Sequence, residues 1–445
     1  MSVEIREVTN KKELKKFVKF NIELYKGNPY HVPGLIEEEM MTLDKKKNPA
    51  FEVCDAIYFL AYKDGKVVGR IAGMVNRPSN EAWGQKRARF GFVDFIDDDE
   101  VVDALFGAVE KWAREQGMEE IHGPMGFTDM DHEGMLIEGF DQIGTMATIY
   151  NYPYYPKQVE RIGYGKDQDW HEFKIYIPDG VPEKHLRIGE IVKKKYGLKV
   201  LKFKNAKEIM PYARPVFHTL NAAFAPLYGF AQLTEKQIDY YINMYIPMLR
   251  YDLVTLIVRE EDNAVVGFGI SLPNLSRALQ KARGHMLPFG WIHLLKALKS
   301  KPKVIDLYIA AYPLRERVLE TVPYRQGEGY RTENRQHHEK EGADGVYHEG
   351  GGLEQQFEYL AEEVADALLH VVHSPVDIHS RHRHHVGGRP AEFLQLLVKF
   401  LVGHEVGGFG VAYHRLVFQF VLLLPVSVHV QRFRLQHLCR ALYDG

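Results

Sequence analysis

Residues 123–133 read Gly-Pro-Met-Gly-Phe-Thr-Asp-Met-Asp-His-Glu, a glycine-flanked run directly after a strand that begins at Ile121. It gathers Asp129, Asp131, His132 and Glu133 within five positions. A carboxylate or imidazole in such a loop can take a proton from a substrate N–H as a bond forms. Glu133 and His132 are the candidates for that base. The same composition also suits an ordinary solvated loop. A second run, Tyr150-Asn151-Tyr152-Pro153-Tyr154-Tyr155, offers aromatic walls and, at Tyr155, a phenol able to protonate a leaving group. Tyrosines in a strand-to-helix loop also serve as amphipathic packing. Asp97-Asp98-Asp99-Glu100 reads as a helix cap and first turn, where carboxylates meet the positive end of the helix dipole. No metal site is expected there, because no partner ligands accompany the acids. The histidines around 381–385 likewise lack Cys or carboxylate at ligand spacing.

These residues must be positioned by alternating strands and helices. A strand is expected at 3–8, then a helix from about Lys11 capped by Asn10, with Leu14, Phe17, Val18 and Ile22 on its apolar face. Strands at 57–62 and 67–75 flank Asp64-Gly65, a hairpin turn. A strand at 90–95, a helix at 100–116 ended by Gly117, a helix at 155–162 ended by Gly163 and a strand at 169–177 follow. The order then recurs. A strand is expected at 199–203, a helix at 207–224 capped by Asn205, a hairpin of 253–259 with 265–271, and a strand at 303–311. Lys12-Glu13-Leu14 and Lys207-Glu208-Ile209 stand 195 residues apart, and Val67-Val68-Gly69 and Val265-Val266-Gly267 stand 198 apart. Capped helix and hairpin recurring together point to a tandem repeat. The helical insertion at 273–300 lies before the last recognisable strand; packing or a lid over a site are its two readings.

Composition bounds the rest. A chain of 445 residues should hold two or three domains. A net charge of −2 carries no bias toward nucleic acid or anionic membranes, and neither is expected as a partner. Two cysteines, Cys54 and Cys439, suit a reducing cytoplasm. The N-terminus lacks a signal-type apolar run, and the apolar stretch 416–430 is too short and too interrupted to span a bilayer. Residues 1–311 contain 30 Lys and 8 His; residues 312–445 contain 2 Lys and 13 His, with hardly any change in charge balance. The tail also loses hydrophobic periodicity. A third domain, a His-rich metal-binding appendage and out-of-frame translation compete; the composition favours the last.

Ala61-Tyr62-Lys63-Asp64-Gly65-Lys66-Val67-Val68-Gly69-Arg70-Ile71 and Tyr154-Tyr155-Pro156-Lys157-Gln158-Val159-Glu160-Arg161-Ile162-Gly163-Tyr164, in this element order, resemble the hairpin and late segment of the GNAT acyltransferase superfamily. The likeness covers residues 1–177 as a complete unit and 198–311 as a truncated one. It implies an α/β (α+β) fold with two GNAT-like mixed-sheet domains in tandem, at 1–180 and 181–311, the second incomplete, followed by an irregular, compositionally foreign tail at 312–445. It further implies acetyl-CoA or another acyl-CoA as cosubstrate and a small amine as acceptor. In that family the fourth strand splays from the fifth to admit the pantetheine arm. Strand N–H groups polarise the thioester carbonyl, and the turn after the strand binds pyrophosphate through an Arg/Gln-x-x-Gly-x-Gly/Ala loop at a helix start. By the same resemblance a carboxylate such as Glu133 or an imidazole such as His132 deprotonates the amine, Tyr155 protonates the thiolate, and the second copy's strand end, Ile309, Ala310 and Ala311, lies along the cosubstrate.

Neither half carries the pyrophosphate loop. Four carboxylates follow the first copy's strand. Tyr312-Pro313-Leu314-Arg315-Glu316-Arg317 follows the second, without glycine, and Gly327-Glu328-Gly329 arrives too late. This chain is therefore expected to be an N-acyltransferase family member, active or inactive in this copy, or else a non-catalytic GNAT-fold binding or scaffold protein. An aminoacyl-tRNA-dependent transferase is disfavoured by the missing basic surface.

Overall fold

The hairpin written into residues 54–76 is the centre of the first sheet. Strands β2 (Cys54–Lys63) and β3 (Lys66–Asn76) pair antiparallel from Cys54↔Asn76 to Lys63↔Lys66. Their turn residues Asp64 and Gly65 both take positive φ, 54° and 74°, as a tight primed turn requires. The computed structural model describes residues 2–172, 181, 183–311 and 433–442.

In the first half, β1 (Glu4–Glu7) leads to α1 (Lys11–Leu24), whose Asn10 cap accepts the amides of Lys12 and Glu13, both at 3.1 Å. Helices α2 (Ile36–Thr42) and α3 (Arg77–Trp83) flank the hairpin, and β4 (Arg87–Phe95) runs into α4 (Asp99–Glu115). Then come β5 (Glu120–Gly123), β6 (Met135–Glu138), α5 (Tyr154–Arg161) and β7 (Gly165–Glu172). Phe17, Val18, Ile36 and Leu43 bury one face of the sheet against Tyr58 and Met74. Val101, Leu105, Phe106 and Val109 of α4, with Val159 of α5, bury the other against Ile71 and Phe90. Close approach explains Gly69, since a β-carbon there would stand 2.5 Å from Leu105 Cδ1.

The second half repeats this opening. After α6 (Glu183–Tyr196), β8 (Leu198–Leu201) leads to α7 (Ala206–Phe224), capped by Asn205, which accepts from Lys207 and Glu208. Glu13 accepts from Thr9 N–H at 3.1 Å, and Glu208 accepts from Lys204 N–H at 2.8 Å, so the repeated Lys-Glu motif performs one capping task twice. Helix α8 (Glu235–Tyr245) precedes the hairpin of β9 (Val254–Arg259) and β10 (Val265–Pro273). Helices α9 (Ser276–Ala282) and α10 (Gly290–Lys299) form the insertion, and β11 (Ile305–Ala311) ends this half. The sheet order β11-β10-β9-β8 mirrors β4-β3-β2-β1, antiparallel throughout. This is a mixed α/β architecture with two GNAT-like sheets in tandem, the second incomplete.

Two expectations need correction. The strand foreseen at 169–177 begins at Gly165, because the chain enters sheet pairing as soon as Gly163 (φ 93°) has ended α5; residues 173–180 lie outside the described part. Beyond Ala311 only 433–442 are described, and they are not patternless. They include β12 (Phe433–Ala441), which pairs with β5 and β6 along one edge and with β7 along the other. Leu438 and Leu442 join the first half's core there, and Arg440 donates to Glu110 at 3.0 Å. The unpaired edges of β5 and β7 supply the reason, since each needs a ladder partner. The histidine cluster and the late Gly-x-Gly lie outside the described residues.

Candidate active site

Strands β4 and β5 run parallel, but only Arg87, Ala88 and Arg89 find partners in Glu120, Ile121 and His122. Met125 N–H then donates to the Phe90 carbonyl at 2.9 Å, and the chain turns away into the 126–134 loop. Phe92 adopts φ 44°, a left-handed conformation that is rare for an aromatic residue, and β4 continues beside β3 alone. A wedge opens between β4 and β5, and in this half it is filled. Phe95 N–H donates to the Tyr155 hydroxyl at 3.0 Å, and Tyr154 donates to the Phe95 carbonyl at 2.6 Å. The Tyr155 ring stacks on Phe95 with centroids 4.1 Å apart. Tyr25 donates to Tyr155 at 2.8 Å, while Asp94 accepts from Tyr155 at 3.3 Å and from Arg70 at 2.7 Å. Arg70 also pairs with Glu39. Burial pushes the Tyr155 phenol well above its ordinary range, so it stays protonated.

The helix start beyond the wedge is equally occupied. Asp98 caps α4 by accepting from Glu100 N–H at 3.1 Å and Val101 N–H at 3.3 Å, and it binds Lys63 at 2.6 Å. Asp97 and Asp99 both accept from Gln158, at 2.8 and 2.9 Å. A pyrophosphate would meet carboxylates where it needs free amides.

The loop after β5 is built differently. Asp131 accepts from Phe127 N–H at 2.8 Å and Thr128 N–H at 3.2 Å, folding the loop on itself. Gly126 permits this, since a β-carbon would stand 2.1 Å from that of Asp131. Arg89 is fully buried and donates to the carbonyls of Gly126 at 3.1 Å and Gly229 at 2.6 Å, and to Ser79 at 3.0 Å. Although Asp129 and Glu133 are half-buried as whole residues, Asp129 Oδ1 and Glu133 Oε1 are buried and have no hydrogen-bond partner among the described residues. Desolvation pushes Asp129 up to about 7, with Arg89 opposing it. It raises Glu133 well above the usual carboxylate range, helped by the charge of Asp129. Two such acids titrate as a pair, and a carboxyl held near neutrality can accept a proton at physiological pH.

The structure thus brings Glu133 and His132 into one loop, but the hydrogen bonds of Tyr155 belong to the filled wedge. His132 Nε2 donates to the Met146 carbonyl at 2.8 Å and is exposed. Ile309, Ala310 and Ala311 lie on β11, paired with Ile270, Gly269 and Phe268. Among the described residues β11 is the edge strand of its sheet, so its far side is not closed as that of β4 is. Thr128 and Tyr241 share a 2.8 Å hydrogen bond between the loop and α8, tying the acids to the second half. Next to that bond Met130 enters the wall of a cavity of about 60 Å³. Its lining is mostly aliphatic and aromatic, formed by residues such as Ala213, Val216, Leu256, Phe268 and Ile309, with Tyr245 and Tyr308 sharing a hydrogen bond of their own.

Sequence reading passed over Arg89, Glu172 and Asp306. Burial pushes Glu172 up to about 8 and Asp306 up to about 6; the Asp306 charge adds to the first shift, and Asn274 opposes the second by donating to Asp306 at 3.0 Å. A signal existed for Arg89 alone: a charged residue inside an apolar strand, between Ala88 and Phe90.

No family model matches the chain. YghO of Escherichia coli strain K12 is 31% identical over 296 residues, which cover 66% of this chain and 74% of that protein. The chain belongs to the YghO family. The bacterial ceramide synthase of Caulobacter vibrioides is 29% identical over 293 residues, 65% of this chain and 74% of its own length. Among solved structures, a tandem GNAT protein from the clavulanic acid biosynthesis pathway aligns over 100% of both chains with 10% identity and a TM-score of 0.43. In this YghO-family chain the opening order β4-β3-β2-β1 recurs as β11-β10-β9-β8, and β4 and β5 part after three paired residues. No helix among the described residues is long and apolar enough to cross a membrane.

Proposed function

We propose that the chain is an acyl-CoA-dependent N-acyltransferase in which the 124–134 loop takes the proton from an amine acceptor. The observation that carries this reading is the pair of buried, partnerless oxygens on Asp129 and Glu133. Glu133 is the base, Asp129 holds its proton affinity up through like charge, and Arg89 limits that rise. His132 is the second candidate for the base. The cosubstrate, acetyl-CoA or a longer acyl-CoA, supplies the acyl group. In the first half the residues do not fit it, because tyrosines and carboxylates occupy the wedge and the helix start. In the second half the backbone of Ile309, Ala310 and Ala311 would hold its arm along the β11 edge. Tyr155 then serves as scaffold rather than as the acid that protonates the thiolate.

The acceptor is a small amine. The apolar cavity behind Met130, together with the name of the Caulobacter relative, supports one that carries a hydrocarbon chain. Free Cys54 and Cys439 suit a cytoplasmic setting, and an out-of-frame origin is kept only for the compositionally foreign stretch between Ala311 and β12, testable by resequencing the gene. Thiol release from acyl-CoA by the full chain, measured against short- and long-chain amines, tests the activity. Glu133→Gln should lower kcat by about 100-fold or more, a typical worth for a positioned base. The second reading, a non-catalytic GNAT-fold binding or scaffold protein, is favoured by the filled first wedge. Amine or thioester binding by calorimetry without any thiol release would establish it over the first.

A further inference from the structure

The insertion between β10 and β11 exposes what a folded surface ordinarily hides. Leu287 is 74% and Phe289 68% exposed, and Trp291, Ile292 and Leu295 of α10 stand 39–44% exposed beside them. Isolated apolar residues on a surface need no explanation, but a contiguous cluster does. This one is not a frayed loop. Trp291 Nε1 donates to the Pro288 carbonyl at 3.0 Å and pins the turn. The opposite side of the insertion is anchored through Leu275, Leu279 and Leu294, which pack with Val32 and Leu35 of the first half. Gln280 donates to the carbonyls of Pro29 at 2.9 Å and His31 at 3.0 Å, and Ile36 N–H donates to the Gly284 carbonyl at 2.9 Å. A rigid platform therefore holds the aromatic and aliphatic tips outward.

Charge decides what they meet. Residues 263–305 contain no Asp or Glu, in a chain that otherwise balances its charges. Lys281, Arg283, Lys296, Lys299, Lys301 and Lys303 are all exposed there. An apolar tip bearing Trp, Phe and Leu, in a segment whose only charged residues are cations, is complementary to an anionic lipid surface, where the tips enter the headgroup boundary and the cations meet phosphates. A protein partner's apolar groove would not require so one-sided a rim.

We propose that the 285–303 segment docks the protein in-plane on an anionic lipid bilayer. The expectation of no membrane partner rested on the lack of a spanning segment and of net charge; an element that lies on the surface needs neither. The inference does not depend on the acyltransferase reading, because binding is measured without turnover. Full-length protein is sedimented with vesicles of phosphatidylcholine alone and of phosphatidylcholine mixed with phosphatidylglycerol. Binding should favour the mixed vesicles, weaken as salt rises from about 0.1 M to about 1 M, and shift tryptophan emission to the blue. Lys296→Glu and Lys299→Glu should each weaken binding by about fivefold or more, the equivalent of about 1 kcal/mol per lysine. Leu287→Asp with Phe289→Asp should abolish the blue shift while near-ultraviolet circular dichroism stays unchanged, both residues being exposed. No preference for anionic vesicles overturns the proposal. So does binding that survives the double aspartate variant, and so does apolar-patch-dependent dimerisation in place of vesicle binding.

Discussion

The two halves share an opening topology and differ in what borders the fourth strand. In the first half every route into the β4 wedge is taken: Tyr155 and Tyr154 use the Phe95 amide and carbonyl, and Asp98 with its neighbours occupies the helix start. In the second half the corresponding strand, β11, has a sheet partner on one side only among the described residues. The β4 wedge of the first half therefore reads as architecture, while under the proposed function the loop after β5 supplies the base and β11 the edge for the thioester. Duplication frees one copy to turn binding groups into internal hydrogen bonds, which stabilise it and close it.

Three substitutions separate these roles. Arg70→Met removes the cation shared by Asp94 and Glu39 in the filled wedge, and stranding the buried Asp94 carboxylate, with Glu39 partly buried beside it, should cost about 3 kcal/mol in denaturant unfolding. If the filled wedge is architecture, activity per folded molecule should hardly move. A smaller effect is expected from Glu172. Its folded pKa of about 8 exceeds the value near 4.5 it has when unfolded, so between those limits the folded state keeps a proton that the unfolded state has lost. Stability should fall as pH rises from about 5 to 8, by on the order of a few kcal/mol, and Glu172→Gln should flatten that slope in thermal melts across pH. Smallest in stability and sharpest in meaning is Tyr155→Phe. It leaves the Phe95 amide without its partner and should cost about 1–3 kcal/mol. A kcat unchanged within about twofold fits the comparison; a loss near that of Glu133→Gln would restore Tyr155 as the acid and dissolve the contrast.

Local features were readable from sequence because local chemistry sets them. Asn10 and Asn205 cap helices through their own side chains, and Asp64-Gly65 dictates its turn wherever the chain later packs. The tandem arrangement followed from those signals in order. What escaped was set at a distance. β12 is recruited by edges some three hundred residues earlier in the chain, and four-residue β6 finds its strand partner among the described residues in β12. In the candidate site the acidic loop was visible as composition. The feature that makes it chemical, two oxygens buried without partners, arises from packing by Arg89, Gly126 and Tyr241 and has no signature in residues 123–133 themselves.

The saturated Phe95 peptide has a stoichiometric consequence. Although the chain carries the fold twice, any thioester it takes up should titrate at one equivalent per polypeptide, and reopening the filled wedge would demand at least two simultaneous changes, one at the strand and one at the helix cap.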